Sequence, residues 1–214
     1  MTDATIVFVS SNREEPEFEA EIIKTLKKNS GGLPIIAVTQ KPVDIEQNLV
    51  VGDVGASGFN FCRQVQLGVL AAKTRFVISA ESDCIYPKDY FEFRPQFDDI
   101  CYRNTNIYVQ KYRKHYACKK TRSTFSQVVG RDFYLERFDL LFKGQPEWST
   151  EMKNFPKEVG MNLFDEFVHW ETKYPAVSFK TGRGMRNHSN TDEKPVYILP
   201  YWGSVQKLRT KYHV

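Results

Sequence analysis

The chain is poor in several things, and each absence narrows what it can be. Its four cysteines, Cys62, Cys84, Cys101 and Cys118, include no CxxC pair, the spacing that zinc and redox motifs use. With no sign of export, they read as reduced thiols in a cytoplasmic protein. No apolar run approaches the roughly 20 residues needed to cross a bilayer, so no transmembrane segment is expected. The opening MTDATIVFVSSNREE has no basic flank, and acid follows its apolar run, which is not the pattern of a secretory signal. No internal repeat, low-complexity stretch or linker divides the 214 residues, a length that suits one domain with a real core. Acid is also missing locally. From Tyr102 to Arg131 there are eight Lys or Arg and no Asp or Glu.

That gap belongs to a wider asymmetry. Residues 1–101 carry 15 acids and 10 bases (−5), and residues 102–214 carry 11 acids and 20 bases (+9), which together give the net +4. A basic half suggests an anionic partner, and a solvated basic face is the plainer alternative.

What is present in the first half is a regular alternation. Thr5 to Ser10 is β-branched and apolar and reads as a buried strand. Glu14 to Lys28 reads as a helix, acids early and lysines late, as the helix dipole favours. Gly31-Gly32 ends it, Pro34 to Thr39 is a second strand, and Gly52 to Gly58 is a glycine-punctuated loop. Phe59 to Lys73 is a helix and Phe76 to Ala80 a further buried strand. This order predicts an α/β fold with parallel strands and helices on the sheet faces. The second half is less regular. Asn106 to Tyr116, Ser126 to Gly130 and Ala176 to Lys180 suit strands, and Met161 to Lys173 suits an amphipathic helix burying Leu163, Phe164, Phe167 and Trp170.

The segment RFVISAESDC carries the chemistry. Two carboxylates, Glu81 and Asp83, follow a buried strand, and residues at i and i+2 point the same way. They can converge just past the strand's C-terminal end, the edge where open α/β sheets bind ligands. Two oxygen donors there suit a hard divalent ion, Mn²⁺ or Mg²⁺, that bridges to phosphates. The plainer alternative is a turn cap and an ion pair with Lys88.

From Gly55 to Phe91, GASGFNFCRQVQLGVLAAKTRFVISAESDCIYPKDYF resembles the central part of family 2-like glycosyltransferases of the GT-A fold. Arg63, Gly68, Ala71, Glu81, Asp83 and Pro87 stand at the matching places, and VFVSSNREE resembles that family's first strand and nucleotide-binding loop. The likeness covers about the first 95 residues. It departs in having Glu81 where Asp is usual, and in an interval from Arg63 to Glu81 about two residues longer than in the commonest members. The resemblance implies a single GT-A domain over 1–214, in which 1–101 holds a nucleoside-diphosphate sugar, a UDP-sugar by preference, and 102–214 faces the acceptor. It implies that Ser10, Ser11, Asn12 and Arg13 border the nucleotide, that Asp53 sits near base or ribose, and that Arg63 reaches the diphosphate or sugar. Asp83 would ligate the metal. Glu81 would hold sugar or ribose, or bind the ion through water.

An inverting transferase also needs a base for the acceptor hydroxyl. Asp165 and Glu166 in NLFDEFVHW are the candidates, with Asp165 slightly preferred, and Glu147 and Glu151 stand outside them. His188, after a glycine-rich turn, is a candidate metal ligand, flanked by Arg183 and Arg186 as phosphate clamps. His115 and His169 read as structural. In the basic half, YRNTNIYVQKYRKHYACKKTRSTF interleaves tyrosines with cations, which suits nucleic acid, so a hydroxymethylated base in DNA is a candidate acceptor. The rivals are a surface glycan or lipid-linked sugar as acceptor, nucleotidyl transfer, and a non-catalytic nucleic-acid-binding module on the same fold.

Overall fold

Alternation along the first strand sets the architecture. In the computed structural model, which describes residues 3–120, 124–157, 163–164, 166–182 and 191–214, every residue of β1 (Ala4–Ser10) is buried. Ala4, Ile6 and Phe8 face one core cluster, and Val7 and Val9 face another. A strand covered on both faces reads as a continuous apolar run.

Helix α1 (Pro16–Asn29) covers the first face with Phe18, Ile22, Ile23 and Leu26. Proline stands in its first turn with Glu17 and Glu19, and Lys27 and Lys28 stand in its last, an arrangement the helix dipole favours. Strands β2 (Ile35–Thr39) and β3 (Gln47–Val50) follow. Helix α2 (Gly58–Ala71) covers the second face. Ser57 caps it, its Oγ accepting from the Asn60 N–H at 3.0 Å. Gly68 lets α2 lie directly on β1, since a Cβ there would stand 2.4 Å from Val7 Cγ1. Strand β4 (Phe76–Glu81) pairs parallel with β1.

Beyond β4 come β5 (Cys84–Ile85), α3 (Lys88–Glu92), β6 (Cys101–Asn104), β7 (Ile107–Gln110), β8 (Ala117–Lys120) and β9 (Gln127–Gly130). Then follow α4 (Arg131–Phe142), β10 (Phe167–Trp170), β11 (Ala176–Phe179), β12 (Thr191–Val196), β13 (Ile198–Leu199), β14 (Gly203–Ser204) and α5 (Val205–Lys211). The main sheet has the order β10-β6-β9-β4-β1-β2-β3 and is mixed, because β9 runs antiparallel to both β4 and β6. A second sheet has the order β12-β8-β7-β11-β5. The α/β reading therefore holds, with a central mixed sheet.

Helix α4 closes the second face through an i, i+4 aromatic ladder. Tyr134, Phe138 and Phe142 stack in turn at 4.9 and 5.8 Å, and Phe155 continues the stack at 5.2 Å. The turn into α4 is tight: a Cβ on Gly130 would lie 1.8 Å from the Asp98 carbonyl oxygen.

One expectation is corrected. The segment read as an amphipathic helix over Met161 to Lys173 contains β10, which pairs parallel with β6, Phe167 opposite Cys101 and Trp170 opposite Asn104. Phe-Val-His-Trp is aromatic and β-branched, and the open edge of β6 gives it a ladder to join. Phe167 is accordingly exposed rather than buried, and His169 stands on a strand. Trp170 stacks on Phe93 at 4.3 Å.

Candidate active site

The Glu81–Asp83 pair forms where the two sheets meet. Glu81 is the last residue of β4, and β5 begins one residue after Asp83 in the second sheet. The Asp83 side chain is buried. Its Oδ2 accepts from Ser178 Oγ at 3.0 Å, its Oδ1 accepts from Cys84 Sγ at 3.1 Å, and its carbonyl accepts from the Phe179 N–H at 2.8 Å. The Glu81 N–H donates to Tyr86 Oη at 3.1 Å, and Tyr86 Oη donates to the Phe125 carbonyl at 2.8 Å.

Potential ligand atoms of Glu81, Asp83 and Cys84 all lie within 4.8 Å of one another. The two carboxylates are hard oxygen donors that fit Mg²⁺ or Mn²⁺. The thiol does not, because soft sulfur is a poor match for such hard ions. Burial, then the charge of Asp83, pushes Glu81 up to about 8, against the pull of Lys120 and Lys180. Such a pair gains from a cation placed between its members.

In the metal-free protein that shift has a measurable consequence. The folded state favours the protonated Glu81, so its ionisation costs stability. The cost is absent below the ordinary value of 4.5, grows with pH and is complete above about 8. Part of residue 81 remains accessible, which reduces the effect. Glu81→Gln is expected to stabilise the metal-free protein by about 1–3 kcal/mol at high pH and by nothing in acid. Urea midpoints at the two pH limits test it, and a pH-independent difference would refute it.

Beside Glu81, between the main sheet, α2 and α4, lies a cavity of about 450 Å³. Phe61, Phe138, Phe155, Phe164 and Phe167 give it an aromatic wall, and Glu81, Arg103 and Gln127 are among its polar groups. The Arg103 guanidinium lies 4.1 Å from the Phe167 ring centroid.

The loops at the same sheet edge are bound together by asparagine and glutamine side chains that sequence reasoning missed or assigned otherwise. Asn12, at φ 49°, accepts from the backbone N–H groups of Gln40 and Lys41, both at 2.8 Å, and donates to Glu19 at 2.8 Å. Ser10 Oγ accepts from the Asn12 N–H at 2.9 Å. Gln40 and Asn60 donate to the carbonyl of Gly55, at 2.8 and 3.0 Å, and tie in the loop that carries Asp53. Gln64 joins the ends of β1 and β2 by donating to the Ser10 and Val38 carbonyls, each at 2.8 Å. Ser11 is half-buried, and Arg13 and Asp53 are exposed.

Arg63 is engaged elsewhere. It donates to the Pro146 carbonyl at 2.7 Å and to Gln66 at 3.0 Å, and its guanidinium lies 3.7 Å from the Phe142 ring centroid. It does not line the cavity. Glu166 is exposed just before β10. Asp165, Arg183, Arg186 and His188 lie outside the described residues. Lys120, Lys180 and Ser178 went unread in the sequence, because only the pairing of the second sheet brings them to the carboxylates.

No protein-family model matches the chain, and no curated protein matches it by sequence. Solved structures do. Residues 1–349 of S. aureus TarS match 83% of this chain with 60% of theirs, at 13% identity and a TM-score of 0.53. The same fragment in complex with UDP-GlcNAc matches 92% of this chain with 62% of its own, at 12% identity and a TM-score of 0.52. This chain thus spans about three fifths of the TarS fragment. With these likenesses, the mixed sheet is that of a GT-A fold. Among the described residues, no helix is long and apolar enough to cross a membrane.

Proposed function

We propose that the protein is a glycosyltransferase that moves a sugar from a nucleoside-diphosphate donor to an acceptor hydroxyl. The observation that carries this reading is the convergence of Glu81 and Asp83 at the C-terminal end of β4, on a GT-A sheet and beside a 450 Å³ cavity. The complex of TarS with UDP-GlcNAc supports a UDP-sugar as donor. The loops of Ser10 to Arg13 and of Asp53 would border the nucleotide, with residues 102–214 facing the acceptor.

Glu81 and Asp83 would hold Mn²⁺ or Mg²⁺, which when bound would supply positive charge against the diphosphate. The acceptor oxygen attacks the anomeric carbon with inversion. A base from the 165–166 pair takes its proton, and the bond to the diphosphate breaks with its electrons going to the diphosphate oxygen. His188, Arg183 and Arg186 would serve as phosphate or metal ligands. The acceptor is a hydroxymethylated base in DNA, with the protein acting in the cytoplasm. The aromatic wall of the cavity suits a flipped planar ring, and the exposed Arg113, Lys114 and His115 beside Tyr116 and Tyr197 suit a phosphate backbone.

The first test is thermal unfolding with UDP-sugars in Mn²⁺. A donor at 100 times its Kd stabilises the native state by about 2.7 kcal/mol and raises Tm accordingly. No rise with any nucleoside-diphosphate sugar would refute the transferase reading.

A further inference from the structure

Two lysines face the carboxylate cluster without bonding to it. Ser178 reaches Asp83 from one face of β11, and alternation places Lys180, two residues on, on that same face. In the second sheet Ser178 pairs with Val109, and Val109 with Cys118, so Lys120, two residues beyond Cys118, shares the face as well. Both ammonium groups act on Glu81 electrostatically, and Lys120 acts on Asp83. Yet neither forms an ion pair with a carboxylate among the described residues. Lys180 is only 7% exposed. With no ion pair to an acid among the described residues, both ammonium groups are available to a further anion.

We infer that Lys120 and Lys180 form a diphosphate-binding clamp over the Glu81–Asp83 edge, which holds a nucleoside diphosphate without a divalent ion. The inference rests on the transferase reading for the identity of the ligand. It adds that positive charge at the diphosphate comes from the chain itself. Lys180 supplies it from a largely buried residue, and Lys120 from a half-buried one whose ammonium lies 5.0 Å from the Phe125 ring centroid. An ion between the carboxylates then adds to a diphosphate already held.

Calorimetric titration with UDP, in excess EDTA and separately in Mn²⁺, tests this on the whole chain. Wild type is expected to bind UDP in EDTA. Lys120→Met and Lys180→Met should each weaken that binding about 10-fold or more, as the loss of a charge-assisted contact does. Lys180→Arg should retain most of it. UMP, which has one phosphate fewer, should bind weakly and be insensitive to either Met substitution. Should Lys180→Met fail to fold, Lys120→Met at its half-buried site decides the matter. UDP binding by wild type that requires Mn²⁺ and is unchanged in the Met variants overturns the clamp and leaves the transferase reading standing. No UDP binding under either condition overturns both.

Discussion

Asp83→Asn is expected to lower sugar transfer about 1,000-fold or more while the protein stays folded. Asparagine has the same shape, and its amide can still meet Ser178 and Cys84 where the carboxylate did, at 3.0 and 3.1 Å. The substitution removes the charge that would hold an ion against the diphosphate. Losing one preorganised electrostatic contact to a transition state costs about 10²–10³ in rate, and losing a metal costs more. The competing expectation comes from the same geometry. If Asp83 serves only to fasten β5 to β11, the variant loses stability and its folded fraction works at full rate. Initial rates measured beside a denaturation curve separate the two, and wild-type turnover would remove Asp83 from the chemistry.

Among the glycines of the described residues, Gly130→Ala should be the most damaging substitution. The added Cβ would stand 1.8, 2.5 and 2.7 Å from the O, C and Cα atoms of Asp98, all of them backbone. No side chain can swing aside to relieve this. Gly130 is also fixed from its other side, because it pairs with Phe76 and is followed by the Arg131 N–H to Arg75 carbonyl bond at 2.8 Å. Separating these segments should cost about 3 kcal/mol or more, at the upper end for overpacking. The denaturant midpoint reads it directly, with the slope unchanged. A loss under 1 kcal/mol would mean that the 98 loop yields easily.

The first half of the fold was legible where its strands are buried on both faces, as β1 and β4 are, and where its helices carry clear end signals; the exposed edge strand β3 left no such run. Ile6, Phe8, Val7 and Val9 leave no doubt about a central strand, and Glu17 and Lys28 mark the two ends of α1. In the second half β7, β9 and β11 fall inside segments read as strands, and the rest was not legible for two reasons. Its strands are mostly four residues long, too short to show a period. Their partners also come from far along the chain, and Phe167 to Trp170 becomes a strand only because β6 has a free edge. Helix α4 did leave a signal, the spacing of Tyr134, Phe138 and Phe142, although Phe133 and Leu135 on other faces blur it. In the site, Glu81 and Asp83 could be found from strand position alone. Lys120 and Lys180 could not, since they reach the acids only through the ladder β8-β7-β11-β5.

The join between the sheets has one more consequence. Asp83 is held by the side chain of residue 178 and the amide of residue 179, both on the far side of that join. The carboxylates therefore sit on the seam between the two sheets, and their placement depends on the pairing of β11 with β5. A ligand seated there acts as a rivet. Its affinity and the slowness with which the β11 amides trade their hydrogens for deuterium should rise and fall together, so the tightness of the donor grip could be read in a strand that never touches it.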